Sequence, residues 1–178
     1  MNRRLTLCGA LALAIVAGTL VRAAESLRIV PITSDDTVVV SFELADAYSA
    51  DVKQAILSGL RTTFSYDIEL RMYVPTWVDR TIATTSVNIS DQYDNLTRRH
   101  TLSRIVDGRV QDAATTEDDA TVRKWLTTLT RLPLCDTSKL DPSRDYYVRV
   151  IARARPHGGS ILGWASAITG QAKFTFIP

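Results

Sequence analysis

Cysteine is nearly absent from this chain: two of its 178 residues are cysteines, Cys8 and Cys135. Cys8 belongs to an N-terminal apolar stretch whose pattern predicts removal, and one remaining thiol cannot close an internal bridge. The fold must therefore stand on its core. Histidine is as scarce. Neither His100 nor His157 has a second ligand three or four residues away, so the spacing of common zinc motifs is excluded and both are expected on the surface. The nucleophile turn Gly-x-Ser-x-Gly is missing too. The acidic groups Asp35-Asp36 and Glu117-Asp118-Asp119 lack the alternation of a calcium loop, so turn and helix-cap roles are expected for them. No metal and no cofactor is implied.

Long apolar runs are confined to the first residues. Arg3 and Arg4 precede an apolar run from Leu5 to Leu20, which ends in the small-residue pattern Val21-Arg22-Ala23. This order predicts a signal peptide over residues 1–23, cleaved after Ala23. The run is shorter than the ~20 residues a spanning helix requires, so contact with the membrane is expected only through this segment if it stays uncleaved. Without residues 1–23 the chain holds 18 bases against 19 acids, so the basic pI of 8.6 belongs to the signal. A near-neutral domain gives no general electrostatic case for nucleic acid. A single domain over residues 24–178, working in the periplasm, is the expectation.

What is present is mostly strand pattern. Leu27 to Thr33 and Val38 to Leu44 flank the turn residues Ser34-Asp35-Asp36. Ser49 is placed to cap a short helix with Val52, Ala55 and Ile56 on one face and Gly59 at its end. From Phe64 to Val74 apolar and polar residues alternate strictly, which predicts a strand with one buried and one wet face. Pro75 ends it. Thr81 to Tyr93, Thr97 to Val106 and a short strand containing Val110 follow, with turns near Asp94-Asn95 and at Asp107-Gly108. A second helix is expected from Thr116, with Val122, Trp125, Leu126, Leu129 and Leu132 as its apolar stripe and Pro133 as its stop. Tyr146 to Ala154, Ile161 to Ile168 and Lys173 to Ile177 complete the strands, with a turn at Pro156 to Ser160. The sum is a mainly β fold, an antiparallel β-sandwich of seven to nine strands with two short helices, expected in an immunoglobulin-like form without the cysteine bridge.

The segments Val39-Val40-Ser41-Phe42-Glu43-Leu44, Ala55-Ile56-Leu57-Ser58-Gly59-Leu60, Thr63-Phe64-Ser65-Tyr66-Asp67-Ile68-Glu69-Leu70 and Trp77-Val78-Asp79, in this order, resemble the bacterial DUF4390 family. Trp125-Leu126, Leu132-Pro133-Leu134, Tyr146 to Ala152 and Trp164-Ala165-Ser166 extend the resemblance over nearly the whole chain after the signal. It implies a small exported bacterial protein, often encoded near a membrane sensor kinase, and carries no catalytic residues. A basic residue expected after the Leu-Pro-Leu segment is replaced here by Cys135 and Asp136.

The most suggestive polar feature is Arg149, Arg153 and Arg155, which share one face of a strand, with Arg144 just before it. Such a row could contact carboxylates or phosphates of a partner, or it could be a solvated face balanced by nearby acids. Arg98, Arg99, Arg104 and Arg109 form a second group. The export signal and the lack of aromatics between the arginines speak against nucleic acid. Cys135 is either a reactive thiol or packed in a loop. The leading expectation is a non-catalytic binding or regulatory module that uses a sheet face or strand edge to meet an envelope protein, such as a sensor kinase. The alternatives are an envelope hydrolase built from Ser160, His157 and an aspartate, or a structural envelope protein.

Overall fold

The computed structural model of the protein describes residues 27–156 and 167–176. β1 (Leu27–Ser34) and β2 (Thr37–Leu44) form a hairpin whose turn residues Asp35 and Asp36 both take positive φ, 51° and 59°. Aspartate tolerates that region, and two such residues in sequence match the right-handed twist of the strands they join. Ser49 caps α1 (Ala50–Leu57), its hydroxyl accepting from the Val52 amide, and Gly59 leaves the helix at φ 84°. β3 (Thr62–Met72) carries the expected alternation, with Phe64, Tyr66, Ile68 and Leu70 fully buried. β4 (Arg80–Asp94), β5 (Arg99–Val106) and β6 (Arg109–Thr116) form the meander, Asp107 and Gly108 making the second tight turn. β8 (Tyr146–Pro156) lies on the other side of β3, and β9 (Ile168–Phe174) pairs with β8. The predicted turn at Pro156 to Ser160 and most of the strand after it fall outside the described residues.

The second helix differs from its expectation. Thr116 closes β6, Asp118 is the cap, and α2 spans Asp119–Thr127; Thr128–Asp136 is a strand, β7, paired with β2. Leu129, Leu132 and Cys135 are buried at every third position, as on a helix, because β7 is bulged twice. Three residues of β2, Val40 to Phe42, face the four-residue stretch Leu129 to Leu132, and Arg131 takes a φ of 52° within it. Local composition agrees with the strand: Thr128 and Thr130 are β-branched. Pro133 is tolerated because β7 is the outermost strand of its sheet.

Two antiparallel sheets result, ordered β1-β2-β7 and β6-β5-β4-β3-β8-β9. The smaller sheet and both helices cover one face of the larger. One continuous core joins them: Val38, Val40 and Phe42 from β2, Val52 and Ile56 from α1, Val122 and Leu126 from α2, and Val148 and Val150 from β8. The expected sandwich with two helices is present; a three-stranded sheet on a six-stranded one does not single out the immunoglobulin form. No helix among the described residues is long and apolar enough to cross a membrane.

The two sides of the sandwich are unequal. On one side β1 lies against β9 so closely that a Cβ at Gly170 would stand 2.9 Å from Leu27 Cδ2 and 3.2 Å from Ile29 Cδ1. On the other side a depression of about 220 Å³ lies between residues of β5 and β6 and residues of β7. Gly170→Val is therefore expected to destabilise the chain by about 1–3 kcal/mol, because two branched methyls must displace Leu27 and Ile29. Urea unfolding measures this, and wild-type stability in the variant would show that the closed side is looser than described.

Candidate functional site

The arginine row lies on the outward face of the larger sheet, where β3 and β8 are neighbours in antiparallel register. Glu69 stands opposite Arg149, and its Oε2 accepts from Arg149 Nη2 at 2.6 Å and from Arg71 Nη1 at 3.0 Å. Arg153 is bound in the same way by Asp67. Both arginines are thus matched by acids of the adjacent strand, as in the solvated-face reading. Arg155 pairs through its backbone with Thr63, and its side chain lies outside the described residues. Arg144 sits in the turn before β8, 3.9 Å from Asp141. The same face continues into the β3–β4 connection. There Asp79 accepts from Tyr147 Oη at 2.7 Å and from the Val74 amide at 3.1 Å, and these bonds hold its carboxyl below the usual range. They brace a turn in which Thr76 takes φ 63° and Trp77 is 81% exposed.

His100 corrects the sequence reading. It is buried, not on the surface, and its Nδ1 lies 2.8 Å from Oδ2 of Asp91, a carboxylate with no exposed surface. Burial pushes the Asp91 carboxyl up, although the His100 bond favours its charge; its Oδ1 makes no hydrogen bond. The Tyr93 ring packs on the imidazole, 4.6 Å between centroids. Above the pair is an open depression of about 430 Å³ lined by Lys53, Leu57, Tyr93, Arg98, His100, Glu117 and Asp119. Asp119 accepts from Tyr48 at 2.8 Å and Lys53 at 2.9 Å; although burial works against its charge, these two bonds hold its carboxyl below the ordinary range. Asp91, Tyr93 and His100 come together only through the register of β4 on β5, in which Tyr93 faces His100. The turn signal at Asp94-Asn95 was the one sequence clue to that register. His157 and Ser160, the hydrolase candidates, lie outside the described residues.

The third place is Arg104, on the same inward face of β5 as His100 and Leu102. Its guanidinium carbon lies 4.5 Å from the centre of the Trp125 ring, a cation–π contact. Burial pulls its pKa down, opposed by the charge of Asp112, which faces it in the β5–β6 register. Among the described residues no acid comes within ion-pair distance of Arg104, and the buried Nε of Arg104 and Nε1 of Trp125 have no hydrogen-bond partner. Arg104, Gln111 and Asp112 line one wall of the depression between the two sheets, and Leu129 to Pro133 line the other. Cys135, paired with Val38 of β2, is 8% exposed, with its thiol pushed up by burial despite the opposing charge of Lys139.

A family model described as a domain of unknown function, DUF4390, matches residues 22–156. The chain belongs to that family. No curated protein matches it, and no solved structure does.

Two outcomes follow from the burial. His100→Leu leaves the Asp91 carboxylate buried and unpaired and should cost about 3 kcal/mol in urea unfolding at pH 7, whereas loss of the exposed Arg99–Glu117 pair by Arg99→Gln should cost under about 1 kcal/mol. Because Asp91 has a folded pKa above its unfolded one, the folded state takes up a proton first as pH falls. The deficit of His100→Leu against the His100→Leu/Asp91→Asn double variant should therefore shrink from pH 7 towards the ordinary carboxylate range; a constant deficit would show that Asp91 is not the cause. Cys135 should react with a thiol reagent only after unfolding, and rapid reaction of the native chain would restore the reactive reading.

Proposed function

We propose that the chain is an exported, non-catalytic binding module of a bacterial envelope, which meets a partner protein at the open side of its sandwich. The observation that carries the reading is Arg104: a half-buried cation, stacked on Trp125, with no acid bound to it, lining a depression bordered by strands of both sheets. A buried charge without a partner is costly, and clefts that hold one are favoured as contact sites. The outward arginine row supports a contact less well, since Asp67 and Glu69 already bind Arg153 and Arg149. Among the described residues, the depression over His100 is lined by no serine, threonine or cysteine, which supports binding more than nucleophilic hydrolysis there. Export rests on the basic, apolar and small-residue order of residues 1–23.

A photoreactive residue placed at Gln111 in the cell should form an adduct with one envelope protein, and the same residue at Thr169, on the outward face, should not. The mature chain recovered should begin at Ala24. An adduct at Thr169 alone would move the contact to the arginine face and reject the open side, and an intact Met1 would make the apolar segment an anchor.

A further inference from the structure

We infer that the open side of the sandwich receives an extended, acid-bearing segment of the partner, which adds as a strand along β6 and sets a carboxylate on Arg104. The inference rests on the binding reading above and names the occupant.

β6 is one end of the six-stranded sheet, and the other end, β9, has β1 packed against it. A terminal strand leaves every second backbone N–H and C=O without a ladder partner, which makes it a template for another chain unless charge, proline or a covering element blocks it. β6, of sequence RVQDAATT, has no proline, carries its charges at Arg109 and Asp112 and none from Ala113 to Thr116, and is exposed along most of its length. Its pairing with β5 is irregular at one place: Arg104 faces Asp112 and Ile105 faces Val110, so Gln111 is the extra residue of a bulge. Bulges of this kind re-aim side chains beside binding sites. From Asp112 to Thr116 the register is regular.

The chemistry at the site selects the occupant. A planar guanidinium held by a ring stack is pre-oriented for a carboxylate, and strand addition supplies affinity through the main chain while a side-chain pocket supplies specificity. The Nε of Arg104 is enclosed beside the ring, whereas its Nη atoms are not enclosed and, among the described residues, make no hydrogen bond, so they are the donors a carboxylate would meet. Asp112, across from Arg104, repels a phosphate dianion more than it repels a singly charged carboxylate. The segment is therefore an extended peptide with Asp or Glu at one position, not a phosphorylated one.

The test is selection of a phage-displayed library of short random peptides on the purified full chain, followed by fluorescence anisotropy of the enriched peptides. Enriched sequences should share one acidic residue within an alternating strand pattern. Changing that residue to its amide should weaken binding about tenfold, as should Arg104→Gln, and the two changes together should weaken it no further. Arg149→Gln should bind as wild type. Hydrogen exchange on the unmodified chain should show slowed amides within Asp112–Thr116 when peptide is bound, a readout that needs no variant to fold. Peptides without an acid, binding unchanged in Arg104→Gln, phosphopeptides preferred over carboxylates, no enrichment, or no slowing in β6 would each overturn the inference. Should the Gln111 adduct form while the selected peptides show no acid dependence, the binding reading stands and the strand-and-carboxylate occupant falls; loss of the adduct removes both.

Discussion

The layering of this protein depends on one buried phenol. Tyr66 lies at the middle of β3, the strand flanked by β4 and β8 along its whole length, and none of its surface is exposed. Its ring stands 4.8 Å from that of Phe42 on β2, and its hydroxyl donates to the Leu126 carbonyl at the end of α2, at 2.6 Å. One residue thus joins the large sheet, the small sheet and the second helix. Burial holds the phenol far above its usual pKa, so it remains a donor at any physiological pH. The bond also satisfies a carbonyl that the helix end would otherwise leave unpaired, at the point where α2 gives way to β7.

Much of this architecture was legible because it follows local rules. The alternation from Phe64 to Leu70, the Asp35-Asp36 and Asp107-Gly108 turns, and the Ser49 cap all depend on residues close together in the chain. What misled was β7, where bulges at Thr130–Arg131 and at Leu134 turned a strand's period of two into a helix-like period of three. The sequence contains Leu129, Leu132 and Cys135 either way; only pairing with β2 tells the two readings apart. The candidate sites were harder still. The arginine face could be read from β8 alone, but the acids that bind it, Asp67 and Glu69, lie on a strand about 80 residues earlier. His100 looked like an isolated surface histidine because its partner, Asp91, is reached only across a hairpin.

Charge is distributed by face. On the outer surface of the large sheet the acids of β3 meet the arginines of β8, and the pairs Asp67–Arg153 and Glu69–Arg149 close within the protein. Exposed pairs of this kind add little stability, typically under about 1 kcal/mol each. Their effect is instead to leave that surface without strong demand for a partner. The Nε atoms of Arg71 and Arg149 on that face are buried without a hydrogen-bond partner, while the closed side, where Gly170 admits Leu27 and Ile29, presents no such atom among the described residues.

The inner face of β5 concentrates the exceptions. His100, Leu102 and Arg104 point the same way, so two ionisable residues flank one fully buried leucine on a core-facing row. An apolar residue at either position would spare the desolvation cost. The two sites nevertheless differ in how that cost is met. His100 is completed from within, by Asp91 at 2.8 Å and the face of Tyr93. Arg104 has a ring beneath it and no acid among the described residues bound to it, in a depression that both sheets border. A stacked guanidinium keeps its fork free, and the fork of an arginine is used in full only by an acceptor with two oxygens. The charge of Asp112 across the ladder offsets part of the desolvation of Arg104, without closing an ion pair on its fork.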